Sequence, residues 1–402
     1  MKSLALHGAA KSLGFDEAKR SVLRLRSPKE RPKVAQDAAI VRHDADIALA
    51  LDAGYHTLVA ISFVWGSTPP GVRTVELDDN FAHLTSGDII AVEARLSNVR
   101  VLWRANSRHN SLLVTERCDH LCLMCSQPPR NVQDQWIIDE IRGFLPLIAP
   151  ETKGIGFTGG EALLDWERFI DLLSDVHKLL PNTGVHVLSN GRAFARADVV
   201  ARWAALGHPD LWAGIPIYSA IDTVHDHIVQ SRGALDDSTL GILRLKDAGQ
   251  RVEVRVVLHS LTVSRLVETC QWLARNMSFL DHVALMGMED TGFALANHAS
   301  LWVDPVDYQV QLKRGVEVLV AAGLRTSVYN LPLCVLPKSV RPYAVQSISD
   351  WKNALPLICD GCSCTTKCPG FFTTGKTKFS RGIKPIETIQ SLALQISATA
   401  VA

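Results

Sequence analysis

Apolar positions along this 402-residue chain follow two different periods, and the places where one gives way to the other set out the architecture. Residues 1 to about 110 carry short apolar–polar alternations bounded by turn signals, such as Gly71-Val72-Arg73-Thr74-Val75-Glu76-Leu77 and Gly87-Asp88-Ile89-Ile90-Ala91-Val92-Glu93. A period of two marks strands with one buried face, so this part reads as a small β-rich domain of unknown role behind a helical or loose start. From 111 to 330, strand-sized runs near 111–115, 154–158, 184–189, 212–218, 252–259 and 281–287 alternate with helical stretches. Near 165–180, 236–248, 264–276 and 305–322 the apolar spacing is three and four, as on one face of a helix. Six such βα units predict an α/β fold, a partial (β/α)6 TIM barrel that carries its ligand groups at the C-terminal ends of the strands. Residues 331–402 form a third, cysteine-rich part.

Composition narrows the class. A hydrophobic content of 47% is enough for sizeable cores, and a net charge of +1 argues against nucleic acid as the main partner. The basic excess is local: residues 1–33 hold nine Lys or Arg against Asp16, Glu17 and Glu30, which reads as a solvated tail or as a dock for an acidic peptide. No apolar run reaches membrane-spanning length, Leu58–Trp65 being strand-sized, and the first residues have too short an apolar core for a signal peptide. A cytoplasmic chain with no membrane partner is expected, with nine reduced cysteines available as metal ligands.

Three of those cysteines, Cys118, Cys122 and Cys125, stand at C-x3-C-x2-C spacing just after the first apolar run of the central part. A loop this tight can offer three thiolates to three corners of a cubane iron-sulfur cluster and leave one iron open. A zinc knuckle would need a fourth ligand, and His120 sits inside the loop where it could hardly complete a tetrahedron. Disulfides and inert buried thiols are the other readings; three is odd, and nothing marks secretion. The next apolar run ends in Phe157-Thr158-Gly159-Gly160-Glu161. Paired glycines there let a ligand approach the backbone, and the carboxylate can accept from an ammonium group, although an ordinary turn into a helix explains the same residues.

The thiol loop followed by Gly-Gly-Glu resembles the radical S-adenosylmethionine (radical SAM) superfamily. The resemblance implies a [4Fe-4S] cluster on Cys118, Cys122 and Cys125, with SAM chelating the open iron and Gly159, Gly160 and Glu161 beside its methionine amine. It implies the same partial barrel, and an electron donor that lets the cluster cleave SAM to a 5′-deoxyadenosyl radical. Ser189 and Asn190, after Val185-His186-Val187-Leu188, are similar to the ribose-contacting strand end. Ser219 is similar to the serine facing SAM after the next strand, and Met286 to a residue near the adenine. As isolated residues these also read as polar strand ends and a core methionine.

The tail carries Cys359, Cys362 and Cys368, with Cys334 25 residues before Cys359. Four thiols close a [4Fe-4S] cluster or a structural zinc site equally well by spacing. Cys364 is a surplus candidate, and Cys270 reads as a core thiol on a helix. This tail resembles the auxiliary-cluster regions of peptide-modifying radical SAM enzymes, though Phe371 and Phe372 stand where a SPASM pattern would continue with another cysteine. Cys118–Arg130, Thr158-Gly-Gly-Glu161 and Ser347-Ile-Ser-Asp-Trp-Lys352 together resemble the HxsC maturases of the His-Xaa-Ser system. That resemblance implies one auxiliary cluster, a precursor peptide with His-Xaa-Ser repeats as substrate, and a second radical SAM maturase as partner. A small-molecule substrate, or a non-catalytic iron-sulfur or zinc protein, are the alternatives; the last leaves Gly159–Glu161 and Ser189-Asn190 without a task.

Overall fold

Where apolar residues alternate with polar ones, the computed structural model forms two eight-stranded sheets, and its description covers residues 5–66, 69–346, 353–372 and 380–386. The N-terminal sheet comprises β1 (His7–Ala9), β2 (Lys11–Leu13), β3 (Arg20–Arg26), β4 (Asp37–Val41), β5 (Thr57–Ile61), β6 (Arg73–Leu77), β7 (Ile89–Glu93) and β8 (Asn98–Trp103). Strands β3 to β6 are parallel; β7 and β8 add antiparallel beside β3. β1 pairs with β8 and β2 with β6, so the stretch His7–Leu13, broken only at Ala10, joins both edges of the sheet. Its interior is filled by the alternating Leu23, Leu25, Ile40, Val59, Ile61 and Val75, while the helix Asp44–Asp52 covers the other face over Val41 and Leu58.

Two expectations are corrected here. Among the described residues the N-terminal part runs in strands from His7, not in a helix. The basic run is no tail, because three of its four arginines are committed to carboxylates: Arg24 Nε lies 2.7 Å from Asp37, Arg26 pairs with Glu30, and Arg20 sits 2.9 Å from Glu93 and 3.1 Å from Glu140. Arg20 also stacks over Trp136, 4.6 Å from the ring centre, and Arg24 donates to the Leu147 carbonyl at 3.3 Å. These contacts, with Ile89 and Trp103 buried in the core of the second unit, fasten the two sheets' units together.

The second sheet is wholly parallel and runs in chain order: β9 (Asn110–Leu113), β10 (Gly154–Thr158), β11 (Gly184–Leu188), β12 (Leu211–Pro216), β13 (Arg251–Leu258), β14 (His282–Gly287), β15 (Thr326–Tyr329) and β16 (Ala344–Val345). Parallel neighbours need a crossover between them, and helices such as Trp166–Leu179, Ala197–Ala204, Ala234–Asp247, Leu266–Asn276 and Gln309–Ala321 supply it. This is the partial α/β barrel expected from the sequence, extended by β15 and β16 beyond the six units. Alternate residues on one side of each strand, Ile155 and Phe157, Val185 and Val187, Val254 and Val256, face the helices and are fully or almost fully buried. Phe157 meets Phe169 edge-on at 5.6 Å, binding strand to helix, and Phe194 in the turn Arg192–Ala195 meets Trp203 at 5.0 Å. The opposite faces of these strands turn inward, where the sheet's curvature encloses a chamber rather than a packed core. Among the described residues no helix is long and apolar enough to cross a membrane. The Ser347–Lys352 motif lies outside the described residues.

Candidate active site at the C-terminal ends of the strands

The thiol loop leaves the end of β9 and is held from three sides. Asp134 accepts from Thr115 Oγ1 at 2.8 Å, Glu116 N at 2.6 Å and Arg117 Nε at 2.9 Å. Burial alone would raise the Asp134 pKa, but these donors hold it below the usual carboxylate range. Gly160 N and Glu161 N donate to the Thr115 and Arg117 carbonyls, both at 2.8 Å, stitching the loop to the end of β10. On the far side Leu121 N and Leu123 N donate to Val229 O and Ile228 O, and Phe293 N donates to Cys125 O. The three thiols therefore sit in one fixed turn, with Cys125 N bonded to Cys122 O at 3.0 Å. Burial raises the Cys118 thiol pKa to about 12 and pushes that of Cys122 higher; Glu161, Asp119 and Cys125 add to the first, and Cys125 and Cys118 to the second. A group of thiols this reluctant to ionise together is stabilised as thiolates only by a bound cation or metal.

The close stitching explains the glycines. A Cβ on Gly160 would lie 1.9 Å from Arg117 O, and one on Gly159, whose φ is 150°, 2.4 Å from Thr115 O. Gly160→Ala is therefore expected to destabilise the protein by on the order of 3 kcal/mol, the upper range of overpacking. Gly143→Ala, with nothing within 4 Å of its Cβ on the helix Trp136–Phe144, should be neutral or slightly stabilising. Denaturant unfolding of both variants checks the contrast.

Glu161 is the junction of the site. It is 2% exposed, and its carboxylate accepts from Leu163 N at 2.9 Å, Ser189 Oγ at 2.9 Å and Asn190 N at 2.6 Å. Burial raises its pKa to about 7 against the pull of those three donors. Asn190 continues the chain of contacts, donating from Nδ2 to Asp119 Oδ1 at 2.6 Å inside the thiol loop. Gly159, Gly160, Glu161, Ser189 and Asn190 are thus brought together with the three thiols. Ser219 lies in the loop just beyond β12, 1% exposed, its Oγ accepting from Ile221 N at 3.1 Å. Met286 is the penultimate residue of β14, and its sulfur accepts from Arg255 Nε and Nη2.

Several neighbours of the site were not singled out from the sequence. Met124 packs with the buried Tyr218 and Ile228 and against Cys122. Tyr218 stacks on His225 at 5.7 Å, its backbone N donating to His225 Nδ1. The only signal for Met124 was its place inside the cysteine loop; the aromatic and histidine partners come from elements more than 90 residues on.

In the tail, Cys334, Cys359, Cys362, Cys364 and Cys368 line one small cavity beneath Lys384 and Ile386. Burial raises the pKa values of Cys359 and Cys368, and for both the thiols of Cys334 and Cys362 add to it. Backbone N–H groups already aim at two of the sulfurs: Leu333 N and Gly370 N at 3.4 Å from Cys368 Sγ, Ile386 N at 3.3 Å from Cys362 Sγ. Cys364 is 4% exposed and packs into the main core, while Cys270 is fully buried beside Gly315. Among the described residues no three His, Cys, Asp or Glu are gathered round a single-ion position.

Residues 112–273, the stretch that carries the thiol loop, Gly159–Glu161 and Ser189-Asn190, match the radical SAM superfamily. This segment is a radical SAM domain. Members of that superfamily use SAM and a [4Fe-4S] cluster. Among solved structures, the chain is similar to Streptococcus suis SuiB bound to S-adenosylmethionine, at 12% identity and a TM-score of 0.43 over 54% of this chain and 49% of SuiB. SuiB bound to precursor peptide SuiA aligns at 12% identity and 0.42, over 54% and 48% of the two chains. A radical SAM methyltransferase from Sphaerobacter thermophilus aligns at 15% identity and 0.41, over 60% and 69%. The alignment thus spans about half the length of SuiB. No curated protein matches the chain.

Proposed function

We propose that this protein is a radical SAM peptide maturase of the HxsC type, acting on a ribosomally made precursor with His-Xaa-Ser repeats. The observation that carries the catalytic part is the convergence of three thiols, two glycines without room for a side chain and a buried carboxylate at one end of a hollow parallel sheet. The donor set fits the group: Cys118, Cys122 and Cys125 would hold a [4Fe-4S] cluster, and Gly159–Glu161, Ser189, Asn190 and Ser219 would border SAM. When bound, the reduced cluster supplies an electron that breaks SAM to methionine and a 5′-deoxyadenosyl radical, which takes hydrogen from the substrate. The chain's own residues fix the loop and present backbone at the glycines. Glu161 has a second duty, because it orients the end of β11 through Ser189 and Asn190.

Cys334, Cys359, Cys362 and Cys368 would hold an auxiliary cluster; their shared cavity and the N–H groups aimed at Cys362 and Cys368 support that reading. An electron donor, a second radical SAM maturase and a cytoplasmic setting complete the proposal. Co-expression with a His-Xaa-Ser repeat peptide tests the substrate. A change in peptide mass that disappears with Cys122→Ala is expected; an unmodified peptide alongside active SAM cleavage would point to a small-molecule substrate instead.

A further inference from the structure

The chamber below the thiol loop is built to stay hollow and charged. A closed barrel fills its interior with layers of Val, Ile and Leu, but here the inward positions of adjacent strands include Gly156, Gly214, His186, Glu253 and Arg255, around a recess of about 220 Å³. A Cβ on Gly214 would lie 2.7 Å from His186 Cε1, and one on Gly156 2.9 Å from Ser111 Oγ, so side chains there would close the space.

Glu253 is the hub of the wall. Its carboxylate lies 2.6 Å from His282 Nδ1, 3.3 Å from His186 Nε2 and 3.5 Å from Arg255 Nε, and His282 Nε2 meets Ser327 Oγ at 2.9 Å. Burial works against this charge, yet the two imidazoles and Arg255 hold its pKa well below the usual range. Arg255 is less well served. Its side chain is 14% exposed, and its hydrogen bonds among the described residues, from Nε at 3.3 Å and Nη2 at 3.0 Å, both end on the Met286 thioether. A thioether is a weak acceptor. A guanidinium carries five N–H donors in a planar fork suited to a carboxylate. Arg108 and His109 at the same recess add no negative charge, so one carboxylate faces two guanidinium groups.

We propose that this recess is a substrate pocket, and that Arg255 binds a carboxylate of the substrate, from an acidic side chain or a chain end. Arg255 lies three residues before the end of β13, roughly 10 Å below the strand ends, so a group anchored there extends toward the thiol loop. Glu253 positions the guanidinium rather than meeting the substrate. The proposal rests on the radical SAM reading only for what happens above the anchored group.

Glutarate, with glutaramide as its neutral counterpart, probes the pocket in the anaerobically reconstituted full chain. Saturable glutarate binding is expected, at least tenfold weaker in Arg255→Gln and partly kept in Arg255→Lys, with SAM affinity within twofold of wild type. Equal binding of glutarate and glutaramide, or glutarate binding that ignores both substitutions, would overturn it. So would competition between glutarate and SAM with loss of SAM affinity in Arg255→Gln, which would hand the guanidinium to SAM's own carboxylate. Formation of 5′-deoxyadenosine by the same wild-type preparation reports separately on the radical SAM reading.

Discussion

Replacing any one of Cys118, Cys122 or Cys125 by alanine is expected to remove about four irons per chain and to abolish reductive SAM cleavage. The magnitude follows from the geometry of the loop. Its three thiols occupy one turn fixed by Asp134, by the ends of β9 and β10 and by Val229, and among the described residues no further cysteine stands with them. Two thiolates cannot hold a cubane whose third protein corner is missing, and Asp119, the nearest carboxylate in the loop, is taken by Asn190. Iron analysis and 5′-deoxyadenosine quantification of the three variants check this, and full cleavage by any one of them would remove that cysteine from the site.

The second large effect lies in the tail. If Cys334, Cys359, Cys362 and Cys368 hold an auxiliary cluster, Cys362→Ala should halve the iron content from about eight to about four, spare uncoupled SAM cleavage and end peptide modification. The barrel site survives because it draws no residue from the tail cavity. A structural zinc site gives a different pattern: about four irons and one zinc in the wild type, and unfolding of the variant's tail, since metal binding there supplies folding free energy. Metal analysis of the anaerobic wild type separates the two. Cys364→Ala, by contrast, should leave the metal content unchanged and cost stability, because that thiol is 4% exposed within the core.

The sequence made the barrel legible because each buried strand carries an unbroken or alternating aliphatic run, and each connecting helix shows the three-and-four spacing. All six expected strands lie within one or two residues of their observed ends. β15 and β16 escaped notice because they are four and two residues long. The short helix Asp222–Val229 was hidden by its two histidines and two aspartates, which blur its apolar face. At the N-terminus, charge counting misled: Arg20 and Arg24 look like part of a solvated run until β4, β7 and the helix Trp136–Phe144 bring Asp37, Glu93 and Glu140 to them. The alternation Glu253-Val-Arg255-Val looks in sequence like a strand with one face in water; the curved sheet turns that face into a chamber. The thiol spacing and the Gly-Gly-Glu were readable as local motifs. Their junction through Glu161, Ser189 and Asn190 was not, since it joins residues 28 and 29 positions apart across two parallel strands.

The central claim is that the Cys118–Cys125 loop and the ends of β10 and β11 form one site for reductive SAM cleavage. Its most direct test is 5′-deoxyadenosine formation by the wild-type chain, reconstituted anaerobically with iron and sulfide, reduced with dithionite and supplied with SAM. 5′-Deoxyadenosine is expected in amounts at least equal to the protein, with none from the Cys122→Ala variant. A fully iron-loaded wild-type protein that binds SAM but releases no 5′-deoxyadenosine would contradict it.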